Sequence, residues 1–168
     1  GNWQALAHGL AVTLEMLVLS TAAGVILAVP VAVARTAGPW PVRRLAFAYV
    51  TLFRGTPLLA QLFLIYYGLA QFEGVRHSPL WPILREAWPC ALIALTLNMA
   101  AYVAEVLRGG ILGVPPGERE AGMAMGMGPA LLYRRIVLPR AFRIALPALG
   151  NEIISQLKAT SLVSTITL

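Results

Sequence analysis

The sequence has little charge. Only 12% of its 168 residues are charged, aspartate is absent, and lysine occurs once, at Lys158. Soluble domains carry roughly 25% charged residues, whereas hydrophobic residues make up 58% of this chain and its mean hydropathy is +0.74. So few charges cannot cover so much apolar side chain, which nearly excludes a water-soluble protein. Intrinsic disorder is excluded as well, because disordered segments combine low hydrophobicity with high charge. The composition predicts a membrane protein.

Cysteine and histidine are also scarce. Cys90 is the single cysteine, so an internal disulfide and a cysteine metal cluster are both impossible. His8 and His77 lie far apart, without the spacing of a metal site. A membrane-embedded enzyme would need a nucleophile–base pair or metal ligands, and two isolated histidines do not supply them. We therefore expect no catalytic residues and no bound metal.

Long apolar runs are abundant. A membrane-spanning helix needs about 20 mostly apolar residues, and the chain holds four candidate runs, the last of which is the weakest because it contains several polar side chains. The runs are far longer than the roughly 9–11 residues of a barrel strand and do not alternate. The sequence thus predicts an all-α, polytopic membrane helix bundle, with spans at about residues 9–34, 45–69, 88–106 and 141–157.

The loops between these runs differ in charge. The first loop carries three arginines and the third carries five, whereas the second carries only Arg76 and Arg85. Cytoplasmic loops are enriched in basic residues, so the first and third loops are predicted to be cytoplasmic and the N-terminus to lie outside. The same rule explains the net charge of +6 without a nucleic-acid partner, since no basic stripe is separate from the apolar runs.

The third loop predicts a helical hairpin over residues 115–139. Pro115-Pro116-Gly117 forms a turn that starts a helix, in which small residues and methionines follow. Gly128-Pro129 is expected to end that helix, and a second short helix is expected to end at Pro139. Small residues and methionine suit close docking of another protein. They suit packing beneath the chain's own bundle equally well, so the residues alone leave both interpretations open.

Spaced residues within the hairpin resemble the EAA loop of ABC import permeases. These are Glu120-Ala121-Gly122, then Gly126 after three intervening residues, Ile136 after nine intervening residues, and Leu138-Pro139. Gly122 departs from the motif, which usually has alanine there. Segments 53–69, 101–111 and 143–164 resemble the polar amino acid branch of that family, the histidine, glutamine, arginine and opine type. The resemblance covers essentially the whole chain.

The resemblance implies a permease subunit that moves polar amino acids across the bacterial inner membrane, driven by ATP hydrolysis in a separate subunit. It implies one permease domain, residues 1–168, with four of an expected five spans, so that the chain is expected to be a piece of a longer protein. No cofactor would be bound by this chain, since ATP and Mg belong to the partner. The alternative is a secondary transporter or channel, which would lack the hairpin and tend to show inverted repeats.

The implied partners are a dimer of ATP-binding subunits, a second permease, identical or homologous, and a periplasmic or lipid-anchored solute-binding protein that docks around residues 71–86. The residues implied to couple to the ATP-binding subunit are Glu120, Ala121, Gly122, Gly126, Ile136, Leu138 and Pro139.

Polar residues inside the spans form a second set of candidates. Charge at membrane depth costs at least about 2.5–3.5 kcal/mol on insertion scales, so such residues usually face the bundle or a water-filled path. We predict an Arg54–Glu105 ion pair that locks two helices, with substrate contact as the alternative. Gln156 follows Glu152 by one helical turn and shares its face. The candidates for a translocation path or an interhelical hydrogen-bond network are Arg54, Asn98, Glu105, Asn151, Glu152 and Gln156.

Overall fold

The computed structural model describes residues 2–166, and this part of the chain is helical without β-strands. A π-helical turn at Leu64–Gly68 and a 3-10 turn at Leu69–Gln71 extend the third helix. A second π-helical turn at Tyr133–Val137 joins the last two helices, and a 3-10 helix at Thr160–Ile166 follows them. The all-α prediction is confirmed. The helices are α1 (Asn2–Ala37), α2 (Trp40–Gly55), α3 (Leu58–Phe63), α4 (Glu73–Arg76), α5 (Trp81–Leu84), α6 (Ala87–Leu112), α7 (Pro116–Ala124), α8 (Pro129–Leu132) and α9 (Leu138–Ala159).

Two of these helices, α1 and α6, are long and apolar enough to cross a membrane, with 36 and 26 residues. At a rise of about 1.5 Å per residue, both exceed a hydrocarbon core of about 30 Å. The pair formed by α2 and the segment Leu58–Gln71 is long and apolar enough only when its two parts are taken together, and it is bent by 107° at the break. Helix α9 is not among these candidates, since its 22 residues include four charged side chains.

The second predicted span is therefore not one straight helix. The break lies at Thr56, whose backbone is extended (φ −115°, ψ 145°), immediately before Pro57. The ring of a proline disfavours the α conformation of the preceding residue and the proline has no N–H to donate. A hydropathy window averages over a single residue of this kind, so the predicted span at 45–69 carried no sign of this break.

Helix α6 lies at the centre of the bundle and contacts α1 and α9 along its length. Close approach depends on small residues. A Cβ on Gly24 of α1 would lie 2.8 Å from Met99 Cγ, and a Cβ on Gly110 of α6 would lie 2.5 Å from the Ala141 carbonyl oxygen of α9. The buried face of α1 repeats every four residues, as one face of a helix does: Met16, Ser20, Gly24, Ala28 and Ala32.

Helix directions follow from which residues stand at the same level. Gly24 lies beside Met99 and Arg35 binds Glu105, so α1 and α6 run in the same direction. Ala141 lies beside Gly110, whereas Gln156 reaches Leu95, so α9 runs in the opposite direction. Since α1 and α6 are parallel, the chain between them must return along the bundle, and α2 with α3 makes that return. We call the end at which α1 and α6 finish and α9 begins the hairpin end.

Candidate functional site

A cavity of about 520 Å³ lies between the break after α2, the middle of α6 and the last turns of α9. Asn98 of α6 lines it, together with Glu152 and Gln156 of α9. These three are among the six intramembrane residues singled out from the sequence, and the fold brings them together. Tyr102 completes one wall, and the Arg54 guanidinium lies 5.4 Å from the centre of its ring, where a cation–π interaction holds it.

Glu152 is the half-buried carboxylate of this cavity, and Arg54 attracts it electrostatically. Arg54 thus stands beside the cavity rather than at the hairpin end. Asn151, the remaining candidate on α9, is exposed and does not line the cavity. Adjacent positions of a helix point about 100° apart, so one residue faces the cavity and its neighbour does not.

Gln156 forms interhelical hydrogen bonds. It is 3% exposed, and its Nε2 donates to Ser20 Oγ at 3.0 Å and to the Leu95 carbonyl at 3.2 Å. One amide therefore joins α1, α6 and α9 at a single level. This observation favours the interhelical role for Gln156. Glu152, one helical turn earlier, lines the cavity with its carboxylate.

Gln61 is the functional candidate that the sequence reasoning missed. Its Nε2 donates to the Phe53 carbonyl at 2.9 Å and to Thr56 Oγ1 at 2.8 Å, and its Oε1 accepts from Asn98 Nδ2 at 3.1 Å. The break before Pro57 releases carbonyl groups at the end of α2, and buried polar groups need partners. Gln61 supplies a hydrogen-bond donor at the break and, through its bond with Asn98, connects the break to the cavity wall. The available signal was a glutamine four residues after a proline in an apolar run.

The predicted Arg54–Glu105 ion pair is wrong. Glu105 binds Arg35 of α1 and, at 2.6 Å, Arg108 of its own helix. Arg54 lies instead at the cavity, beside Tyr102. The packing of α1 against α6, which brings Arg35 to Glu105, was not visible in the sequence.

Gly126 shapes the first turn of the hairpin. Its φ is +81°, the left-handed region that glycine adopts without a Cβ clash. The Gly126 amide donates to the Met123 carbonyl at 2.9 Å and the Met127 amide donates to the Gly122 carbonyl at 3.1 Å. These two bonds form a Schellman motif that ends α7. The helix thus ends at Ala124, before the Gly128-Pro129 sequence that was predicted to stop it.

The second arm of the hairpin continues into α9. The prediction that it ends at Pro139 is wrong, because the π-helical turn at Tyr133–Val137 accommodates that proline in the first turn of α9. A proline lacks the amide hydrogen that an α-helical bond would use, and the wider turn removes the need for it. The second arm of the hairpin and α9 therefore form one continuous helical segment.

The hairpin has a packed face and an exposed face. Gly122 is buried, and a Cβ there would lie 2.5 Å from Leu132 Cδ1, so this position holds the two arms together. Tyr133 binds Thr36 at the end of α1, at 3.3 Å. Of the other candidate coupling residues, Ile136 and Leu138 are half-buried, and the exposed ones are Glu120, Ala121, Gly126 and Pro139.

The exposed face contains a groove and apolar side chains. The groove has a volume of about 540 Å³ and is lined in part by Ala121, Ile136 and Pro139. Met123 and Met125 are 55% and 78% exposed. Within residues 2–166, Glu120 has no ion pair or side-chain hydrogen bond, and no three His, Cys, Asp or Glu side chains gather as a metal site would require.

Comparison with known proteins adds a family match. The model of the family described as "Binding-protein-dependent transport system inner membrane component" matches residues 13–168. The octopine transport system permease protein OccM of Rhizobium meliloti is 52% identical over 164 residues, covering 98% of this chain and 67% of that protein. The L-cystine transport system permease protein TcyB of Bacillus subtilis is 40% identical over 164 residues, covering 98% and 66%. The arginine ABC transporter permease protein ArtM of Escherichia coli is 47% identical over 130 residues, covering 77% and 56%.

Solved structures agree with the fold. An amino acid ABC transporter crystallised with histidines has a TM-score of 0.77 and 38% identity, covering 93% of this chain and 69% of that one. The MetNI methionine ABC transporter in an inward-facing conformation has the same TM-score at 23% identity, covering 96% and 74%. OccM and TcyB match nearly the whole of this chain, and this chain spans about two thirds of the length of each.

Proposed function

Because this chain belongs to the family of binding-protein-dependent inner membrane transport components, we propose that it moves amino acids or amino-acid-derived opines into the cell. ATP hydrolysis in a separate subunit drives the movement. The resemblance to ABC permeases of the polar amino acid branch, predicted from the sequence, is confirmed by the family match and by the opine, cystine and arginine permeases among its relatives.

The chain crosses the membrane four times in this proposal. The alternating directions of α1, the bent α2–α3 pair, α6 and α9 support it. Arginines of the first and third loops meet at the hairpin end, as Arg35 and Arg108 do on the same carboxylate. Basic loops mark the cytoplasmic side, so the hairpin end is cytosolic and the N-terminus is outside.

The cavity lined by Asn98 and Glu152 is the part of the translocation path that this chain contributes. Its carboxylate, amides and hydroxyls suit the ammonium, carboxylate and amide groups of an amino acid. Polar side chains at membrane depth are costly unless they face one another or water. Gln156 closes the wall by joining three helices, and Gln61 keeps the broken helix in place beside it.

One observation carries the coupling mechanism: the same helix that supplies Glu152 continues without a break into the hairpin. From Pro139 to Glu152 is about 20 Å at 1.5 Å per residue. A displacement of the hairpin is therefore transmitted along α9 to the cavity as a rigid-body movement. Closure of two ATP-binding subunits around the exposed face would supply that displacement, a two-state change of the hinge or shear type.

The remaining partners follow from the two ends of the bundle. The ATP-binding subunit would contact the exposed side of the hairpin, where Glu120 has no side-chain partner among residues 2–166 and Met125 is exposed. A solute-binding protein would dock at the opposite end, around α4 and α5, where Phe72 and Leu80, the residues just before these helices, are 63% and 59% exposed. A second permease subunit would complete the path.

Reconstituted transport tests this proposal. The complete permease, its ATP-binding subunit and its binding protein are placed in proteoliposomes, and uptake of octopine, arginine and cystine is measured with and without ATP. We expect ATP-dependent uptake that falls about 10-fold or more in Glu152→Gln, since a hydrogen bond to a charged group contributes about 1.5–3 kcal/mol. Asn151→Ala is the matched control, because Asn151 is adjacent but lies outside the cavity.

Two outcomes would contradict the proposal. Uptake that persists without ATP hydrolysis would indicate a secondary transporter or channel. Equal uptake by Glu152→Gln and the Asn151→Ala control would remove the cavity from the path.

A further inference from the structure

A second, strongly basic pocket lies at the hairpin end, between the end of α1, the start of α2 and the end of α6. It has a volume of about 330 Å³ and is lined by Arg35, Arg43, Arg44, Phe47 and Arg108. It is separate from the cavity at Glu152 and from the hairpin groove, since no residue lines more than one of them. Four of its five lining side chains are guanidinium groups.

The positive charge of this pocket is not balanced within the described part of the chain. There, Glu105 is the one carboxylate that binds the pocket's arginines, and it is shared by Arg35 and Arg108. Arg43 and Arg44 have no carboxylate partner within residues 2–166. Four guanidinium charges and one carboxylate charge leave a net charge of +3.

Arg43 and Arg44 are also unfavourably placed in their helix. Both lie near the N-terminus of α2, which has 16 residues, no acidic side chain in its first turn and no side-chain cap on Pro39. The N-terminal end of a helix carries a partial positive charge, so cations there are repelled and anions are attracted. Basic side chains, unbalanced charge and the helix dipole all favour an anion in the same pocket.

Phe47 lines the pocket, and Trp40 and Leu45 lie on the same stretch of α2; we call these three residues the apolar rim. Phe47, Trp40 and Leu45 are 52%, 61% and 72% exposed. The Arg44 guanidinium lies 4.9 Å from the ring centre of Trp40, and Arg35 lies 5.3 Å from that of Phe47. Tryptophan is enriched at membrane–water interfaces, and arginine can lie along apolar surface while its head group reaches polar surroundings. A small soluble anion would use the charge and leave this apolar rim uncovered.

We propose that this pocket binds the phosphodiester head group of an anionic phospholipid from the leaflet at the hairpin end. A guanidinium group can bind a phosphate through two parallel N–H···O hydrogen bonds. Basic pockets between membrane helices on the cytoplasmic side are suited to anionic head groups. The acyl chains lie along Trp40, Leu45 and Phe47. This inference rests on the proposed function only in placing the hairpin end at the membrane surface.

Lipid binding to the purified transporter tests the pocket directly. The complete permease with its ATP-binding subunit is delipidated in detergent and titrated with phosphatidylglycerol, and bound lipid is counted by native mass spectrometry. Each basic residue near an anionic surface contributes about five-fold in affinity, so Arg43→Gln with Arg44→Gln should weaken binding about 30-fold. The single variants should each lose about five-fold, which keeps the test open if the double variant does not fold.

Matched controls separate this pocket from general surface charge. Arg134→Gln with Arg135→Gln removes the same charge from exposed adjacent arginines of the hairpin, outside the basic pocket, and should leave lipid binding unchanged within two-fold. Arg43→Lys with Arg44→Lys keeps the charge and should retain most of the affinity. Phosphatidylcholine, which is zwitterionic, should bind far more weakly than phosphatidylglycerol.

Four outcomes would overturn the lipid assignment. They are equal binding by wild type and the glutamine variants, equal losses in both double glutamine variants, equal binding of phosphatidylcholine, and displacement of the lipid by inorganic phosphate at matching concentration. The last would assign a site for soluble phosphate. These measurements need no transport, so failure of ATP-driven uptake would refute the proposed function and leave the lipid result standing.

Discussion

Replacement of Gly126 by alanine should loosen the hairpin without touching any neighbour. A Cβ at this position meets no heavy atom within 4 Å, so the substitution adds no clash with other residues. The cost is conformational, because φ of +81° is unfavourable for a side chain by about 1–2 kcal/mol. That energy lowers the population of the Schellman turn relative to rearranged turns by a factor of about 5–30.

The same hairpin provides a matched control at Gly128. A Cβ there also meets nothing within 4 Å, but its φ is −70°, which any residue adopts. Gly128→Ala should therefore leave the turn unchanged or stabilise it by a few tenths of a kcal/mol up to about 1 kcal/mol. Gly126→Asn should recover part of the loss, because asparagine tolerates the left-handed region better than alanine.

The assay is substrate-stimulated ATPase activity and coupled uptake by the reconstituted transporter, with hydrogen exchange at the Gly126 and Met127 amides as the structural measurement. Gly126→Ala should speed exchange at these two amides and lower coupled uptake, while Gly128→Ala behaves as wild type. Unchanged exchange in Gly126→Ala would show that the left-handed turn is not the conformation of the hairpin. Faster exchange with full coupling would show that the turn has no part in contacting the ATP-binding subunit.

Two further predictions concern the bundle. Gly110→Ala should lower the free energy of unfolding by about 1–3 kcal/mol, since its Cβ would lie 2.5 Å from the Ala141 carbonyl oxygen and must push α9 away. Gly109→Ala, where a Cβ meets nothing, should stabilise the helix by up to about 1 kcal/mol, and thermal unfolding in detergent compares the two. Gln61→Leu should cost about 1–3 kcal/mol by leaving the polar groups at Thr56 without their donor, and unaltered thermal stability would show that water satisfies them instead.

The helical, membrane-spanning character of the chain was readable from the sequence because it depends on local composition. Apolar runs too long for any strand predict helices, and the basic loops predict which ends lie together. The hairpin spacing, from Glu120 to Pro139, led to the transporter family that the comparisons confirm. Asn98, Glu152 and Gln156 were selected as polar residues in apolar helices, and they do line one cavity.

Which helices pack against one another, and how the break in a helix is stabilised, depended on the tertiary structure. Arg35 rather than Arg54 binds Glu105, because α1 and α6 run in parallel and their side chains meet at matching levels. Hydropathy records how apolar a segment is, but it carries no information on which helix lies beside which. The same limit hid Gln61, whose role exists only because Asn98 stands opposite the break in the helix.

Sequence alone thus determined that the chain is a helical membrane protein with a helical hairpin after its third long apolar run, since hydrophobicity, proline, glycine and arginine act through their immediate surroundings. The tertiary structure decided which charges pair, where α2 breaks from α3, and that the hairpin and the cavity share α9. These depend on contacts between residues far apart in the chain. Such contacts form only when a particular packing of helices satisfies buried polar groups and lets small residues come close together.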